Sequence, residues 1–386
     1  MKILIAVTDC DVGGITTAAY NLCNELYRRG HNVTLLDMSN SRKAEDFLPE
    51  SVEKKYLSGL SKYWKLTAKT VKQAKGFKKL FLLGLASIKK LSNRHGLWHR
   101  IIFRRIKDER YDVSIAFRQC APCYYFVLKK IQAAKKLAFI HGDVQFMGGN
   151  EKSFLPYMDQ FDKVAYVSDA VKEGFVAAYP SLAQNAITIY NILDFNFIIQ
   201  SAQAQGDVVF DENKINIVTV SRIENASKGT DRIVWVCKKL KEHGIVDFSW
   251  YVIGDGPDYV ACVQQAKEFG LTDELYFLGS KENPYPYIRQ SDFSVLPTKG
   301  ESFGLVVLES LILHKPVVVC EYPALKELFE DDVTGRVTKQ DVESLYEAIY
   351  TMITDRAIRE KYTLNCSHYE YTADQAYQQF MAAVEA

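Results

Sequence analysis

The chain has 386 residues, 48% hydrophobic and 25% charged, with a formal net charge of +1. That composition fits ordinary globular protein of about two or three domains. It excludes several classes. Eight cysteines scattered along a long chain point to reduced thiols in a cytosolic setting, not a disulfide framework. The apolar start "KILIAV" meets Asp9 and Asp11 too soon for a secretory signal. The longest later apolar run, "LFLLGLASI", is far below the ~20 residues of a spanning helix.

In chain order, short β-branched runs alternate with longer helical patterns, which predicts βαβ units around parallel sheets. "KILIAV" leads through a glycine turn to the helix "ITTAAYNLCNELYRRG" and the strand "NVTLLDM". A basic segment at about 51–105 follows, holding about fifteen Lys and Arg against the single acid Glu53. Next come the strands "YDVSIAF", "KLAFIHG", "KVAYVSD" and "AITIYN", with "AVKEGFVAAY" helical. A second series runs "INIVTVS", "FSWYVIG", "ELYFLG", "DFSVLP", "PVVVC" and "GRVT", separated by helices such as "TDRIVWVCKKLKEH" and "YVACVQQAKEFG". The fold class is therefore α/β with two doubly wound domains. The first is expected at 1–193 with the basic helical insertion, the second at 194–370, and a C-terminal helix at 371–386 returning to the first.

Ligands of open α/β sheets sit beyond the carboxyl ends of strands, so the loops there carry the chemistry. "TKGESFGLVVLES" (298–310) is such a loop, with Glu301 before a helix expected to start near Phe303 and Glu309 about two turns inside it. Free amides at a helix start suit a phosphate. Taken alone, Glu301 reads as a helix-dipole partner and Glu309 as a solvated side chain. "DVGGIT" puts Gly13 and Gly14 between strand and helix, where a backbone can approach an anion. "SRIENASKGTD" offers Arg222 and Lys228, and "GDGPD" is another glycine turn after a strand.

Taken together and in order, "SR…KG", "VIGDGP", "LPTKGESFGLVVLES" and "PVVVC", with the earlier "VGG", "AFIHGD", "VSD" and "YNILD", resemble the retaining GT-B glycosyltransferases of family 4. The resemblance runs from about Lys2 to Val337. It implies two facing Rossmann-like domains with a nucleoside-diphosphate sugar in the cleft between them. Arg222 and Lys228 would hold the diphosphate, assisted by the backbone around Ser302, Phe303, Gly304 and Leu305. Gly13 and Gly14 would let the first domain close over the phosphates. Glu309 would take the ribose hydroxyls and Glu301 those of the transferred sugar, where its charge complements a developing oxocarbenium ion. Two features depart from the family pattern. Arg222 and Lys228 stand one residue further apart than in the commonest version, and Ser221 replaces a frequent glycine.

His141 follows a strand, a position that is either structural or, by resemblance, a contact to the transferred sugar. Cys120 and Cys123 form a C-x-x-C near a helix start, which reads as two ordinary cysteines because thioredoxin-like surroundings are absent. No His/Cys/carboxylate spacing suggests a metal site, and neither metal nor cofactor is expected.

The resemblance implies same-face transfer of a hexose-type sugar, with UDP favoured over GDP, to a glycan or lipid-linked saccharide. Ser280 and Lys281 would border the base pocket. In the basic segment, Leu57, Leu60, Trp64, Val71, Ala74 and Leu85 fall near helical spacing beside lysines, which suits either a covering helical pair or an anionic membrane surface anchored by Trp64 and the leucines. The membrane alternative implies a peripheral protein on the cytoplasmic leaflet, engaged in capsule, exopolysaccharide or lipopolysaccharide assembly. Two competing readings are a sugar-nucleotide epimerase of the same fold and a nucleic-acid-binding module built on the lysines with Tyr63, Trp64 and Phe77.

Overall fold

A computed structural model describes residues 1–8, 13–93, 97–103 and 109–385. Asp9, Asp11 and Val12, and Arg94, Arg104 and Arg105 of the basic segment, lie outside the described residues. The described chain divides into two units. One comprises 1–167, 172–192 and 375–386, and the other 168–171 and 193–374.

The first unit holds a seven-stranded parallel sheet. Its strands are β1 (Lys2–Val7), β2 (Asn32–Asp37), β3 (Glu53–Tyr56), β4 (Arg110–Ala116), β5 (Gln132–Ile140), β6 (Lys163–Tyr166) and β7 (Ala186–Thr188). Their spatial order is β3-β2-β1-β4-β5-β6-β7. The second unit holds a six-stranded parallel sheet of β8 (Ile215–Val220), β9 (Phe248–Ile253), β10 (Leu275–Gly279), β11 (Phe293–Leu296), β12 (Val317–Cys320) and β13 (Gly335–Thr338), ordered β10-β9-β8-β11-β12-β13. Strand order reverses between β1 and β4 in one sheet and between β8 and β11 in the other. Each reversal opens a crevice beyond the strands' carboxyl ends.

The apolar runs form strands because both faces of each sheet are covered. In β12 the two-residue side-chain period sends Val317 and Val319 to one buried cluster and Val318 and Cys320 to the other. The larger cluster includes Trp250, Phe248 and Phe293. Each such fully buried side chain contributes roughly 1.5–3 kcal/mol.

The basic segment departs from expectation. It opens with β3, whose "EKKY" pairs parallel with Thr34–Asp37 at the sheet edge. A short polar edge strand has no apolar run to announce it. The remainder breaks into a 3-10 turn at Gly59–Tyr63 and helices at Ala68–Gln73, Gly76–Asn93 and Trp98–Ile102. The expected membrane anchors turn inward. Trp64 is 9% exposed and its Nε1 donates to Met38 O at 2.7 Å, while Leu57, Val71 and Leu85 are buried.

The helix expected from Phe303 begins at Leu305. Gly304 stands before it in the left-handed region (φ 95), which holds the preceding residues out of the helix.

Candidate functional site

Beyond the carboxyl ends of β8 and β11, two loops are stitched together. Ser227 O accepts from Lys299 N at 2.8 Å and from Thr298 Oγ1 at 3.1 Å. Gly229, left-handed at φ 62, makes this approach possible, because a Cβ there would stand 2.2 Å from Pro297 O. Arg232, 8% exposed, braces the same corner by donating to Pro297 O at 3.2 Å and to both Gln340 O and Oε1 at 2.9 Å. The outcome is a direct ion pair. Lys228 Nζ donates to Glu301 Oε1 at 2.5 Å, with the two side chains 24% and 19% exposed.

Arg222 behaves differently. Its side chain is 64% exposed and pairs with Glu224 at 3.6 Å. The structure thus joins Lys228 to Glu301 and leaves Arg222 turned to solvent on the same loop. The "GDGPD" glycines serve the backbone. A Cβ on Gly254 would sit 1.8 Å from Ser221 O, and one on Gly256 2.2 Å from Ile223 O, so both glycines let this turn press against the Arg222 loop. Lys281 is tied to Asp207 at 2.5 Å.

Among the described residues no side chain caps the start of the helix Leu305–Ile312. A Cβ on Gly304 would meet Tyr322 Oη at 2.0 Å, and that hydroxyl donates to Phe303 O at 3.1 Å. Ser302 O accepts from Ser168 Oγ at 2.8 Å, and the Phe303 ring is buried. Glu301 lies close enough to Tyr322 to help burial raise that phenol's pKa. Inside the helix, Glu309 is 7% exposed, and burial pushes its carboxyl up to about 7 against the hydrogen bond from Tyr285 Oη at 3.4 Å. The carboxyl stands where a proton or a hydroxyl partner is needed.

In the first unit, Gly13 precedes the helix Gly14–Arg28, with no side-chain cap among the described residues. A Cβ on Gly13 would meet nothing within 4 Å among the described residues, so no described neighbour requires a glycine there. His141 follows β5 beside the β1/β4 reversal, and its N–H donates to Gln119 Oε1 in the loop after β4 at 3.0 Å. Its ring lies 4.5 Å from Phe117 and 5.8 Å from Phe139, centroid to centroid. Burial pushes the imidazole down to about 3, and its shielded Nε2 has no partner among the described residues. A neutral ring with a spare nitrogen can exchange a hydrogen bond with a hydroxyl.

Cys120 and Cys123 are free, and burial raises both thiols, the reverse of a reactive pair. Among the described residues no group of three or more His, Cys, Asp or Glu could hold a metal ion.

Sequence reasoning missed Arg232, Gln119, Tyr285 and Tyr322. All four act on residues distant in the chain, for which local spacing carries no signal.

The family described as Glycosyltransferase Family 4 matches residues 12–197, and Glycosyl transferases group 1 matches 201–368. The chain belongs to the family 4 type of GT-B glycosyltransferase. It is 25% identical over 223 residues to the N-acetyl-alpha-D-glucosaminyl L-malate synthase of Bacillus anthracis, covering 56% of this chain and 57% of that protein. It is 27% identical over 176 residues to an N-acetylgalactosamine-N,N'-diacetylbacillosaminyl-diphospho-undecaprenol 4-alpha-N-acetylgalactosaminyltransferase of Campylobacter jejuni, covering 45% and 46%. The chain thus spans about half the length of the curated relatives it matches. Among solved structures, Anabaena Alr3699/HepE in complex with UDP and glucose superposes with a TM-score of 0.69 at 18% identity, covering 100% of both chains. The shared fold is GT-B, two parallel-sheet Rossmann-like domains.

Proposed function

We propose that this family 4-type chain moves a sugar from a nucleoside-diphosphate sugar to a saccharide or lipid-linked saccharide acceptor, with retention at the anomeric carbon. The Lys228–Glu301 pair carries the reading. It sets a cation suited to a departing diphosphate against a carboxylate suited to sugar hydroxyls, both at the reversal of strand order in the second sheet. The Alr3699/HepE structure with UDP and glucose favours a UDP donor. The name of the Campylobacter relative, with its diphospho-undecaprenol, favours a lipid diphosphate as acceptor carrier.

In this scheme the bond between the anomeric carbon and the diphosphate oxygen breaks while the acceptor oxygen bonds to the same face. The acceptor's proton passes to the departing phosphate oxygen. Lys228 and Arg222 offset the growing negative charge, assisted by amides at the start of the helix Leu305–Ile312. Glu301 orients the sugar and complements positive charge at its ring. Glu309 accepts from the ribose hydroxyls, Gly13 and Gly14 leave room beside the phosphates, and His141 bonds a sugar hydroxyl as a neutral ring. The scheme gives no role to a metal.

The test is transfer from a panel of UDP- and GDP-sugars to saccharide and lipid-diphosphate acceptors, with the product anomer read by NMR. Retained configuration in the wild type, and at least about 100-fold slower turnover in Glu301→Gln with donor binding kept, are the expected results. An inverted product would refute retention. Release of an epimerised free sugar nucleotide would favour the epimerase reading, and full activity in Glu301→Gln would remove Glu301 from the site.

A further inference from the structure

The helix Gly76–Asn93 has two faces, and among the described residues only one is occupied. Leu82 and Leu85 point into a cluster with Leu66 and Val71, flanked by Leu60, Tyr63, Ala74 and Ala86. On the other side, Phe77 is 86% exposed, Leu80 67%, Leu91 73%, Leu83 46% and Ile88 44%. Three-residue steps set Phe77 beside Leu80 and Ile88 beside Leu91, and the eight residues from Leu80 to Ile88 make about two turns, so these four share one stripe with Leu83 at its edge. A contiguous apolar stripe of this kind marks an interaction surface, unlike apolar residues exposed singly.

The surrounding charge selects the occupant. Lys79 and Lys90 follow one margin of the stripe, and Lys72, Lys75 and Lys78 crowd its N-terminal end, all exposed. From Lys54 to Asn93 the chain contains no Asp or Glu. A second copy of the chain would set lysine against lysine across the contact. An anionic bilayer has phosphates for the ammonium groups and an apolar layer beneath them for the phenyl and leucyl side chains. No described helix is long and apolar enough to cross a membrane, so this one would lie in the surface plane.

The geometry points to the outer face of the helix Gly76–Asn93 as a docking surface for anionic lipid bilayers. Phe77, Leu80, Leu83, Ile88 and Leu91 enter the boundary between headgroups and acyl chains, and Lys79 and Lys90 bind lipid phosphates. Trp64 takes no part, because its indole is committed to the protein interior. The inference is independent of the transfer reaction, since partition onto vesicles is read without donor or acceptor.

The experiment is co-sedimentation of the full chain with phosphatidylcholine vesicles, plain or carrying about a quarter phosphatidylglycerol. The wild type is expected to pellet with the anionic vesicles and to leave them as salt rises. The variant Phe77→Ser/Leu80→Ser/Leu91→Ser should lose partition by at least about tenfold while melting at the wild-type temperature, because all three side chains are exposed. Lys79→Gln/Lys90→Gln should lose it a few-fold and lessen its dependence on salt. Wild-type protein left in the supernatant with both vesicles, or a triple variant that pellets normally, would overturn the proposal. A dimer in sedimentation equilibrium that the triple variant dissolves would overturn it in favour of a second copy.

Discussion

Glu309 concentrates the chemistry of single residues. Its folded carboxyl titrates near 7 and an ordinary one near 4.5, so the folded protein holds this proton more tightly than the unfolded chain. The corresponding stability is fully present below pH 4.5 and is lost as pH rises through 7. At about 1.4 kcal/mol per pH unit the loss approaches about 3 kcal/mol. Glu309→Gln should remove this slope, and urea denaturation of both proteins at pH 5 and pH 8 measures it. If the carboxylate form receives the ribose, nucleotide affinity should rise with pH through 7, and Tyr285→Phe should move that midpoint upward, as calorimetry at several pH values would show. His141 behaves in the opposite sense. Its folded pKa is lowered to about 3 from 6.5, so its contribution is present above pH 6.5 and lost as pH falls through 3. His141→Asn should therefore weaken the dependence of stability on pH across that window. The motifs singled out both residues, but their protonation was not legible, because it comes from burial in the folded chain, opposed at Glu309 by the hydrogen bond from Tyr285.

At the scale of elements, glycines decide whether the site exists. Gly229 and Gly304 combine a left-handed backbone with a neighbour that an added Cβ would strike. The backbone strain alone costs of order 1–3 kcal/mol, and the displaced contact adds to it. Gly229→Ala should part the Lys228 loop from Pro297 and so weaken nucleotide binding. Gly304→Ala should lower the unfolding temperature, and thermal denaturation with nucleotide titration checks both. Twelve of the strands in the two sheets were legible, since each is an apolar β-branched run between turn residues. β3 was not, because "EKKY" lies on an edge where one partner and no apolar face are required. The helix start at Leu305, and not Phe303, followed from the φ of Gly304, a property that sequence spacing does not carry.

Across the whole molecule, the nearly neutral net charge conceals a basic segment that the sequence already set apart, and the structure redistributes its apolar residues. Trp64, Leu57 and Leu85 belong to the protein interior, whereas Phe77, Leu80 and Leu91 face outward. Helical periodicity could not choose between these faces once the segment broke into several short elements. The loops after β8 and β11 were legible as a candidate site because ordered motifs mark them, but the Lys228–Glu301 contact depends on Gly229 and Arg232, whose purpose appears only in three dimensions. A nucleotide held at 100 times its dissociation constant should stabilise the chain by about 2.7 kcal/mol, visible as a rise in melting temperature.

The contact between Lys228 and a diphosphate is central to the proposed site. Calorimetric titration of the protein with UDP and with GDP, comparing wild type, Lys228→Ala and the remote surface variant Lys361→Ala, measures that contact. One nucleotide should bind saturably, weakened at least about tenfold, or about 1.4 kcal/mol, by Lys228→Ala and unchanged by Lys361→Ala. Binding of neither nucleotide, or equal affinity in wild type and Lys228→Ala, would contradict it.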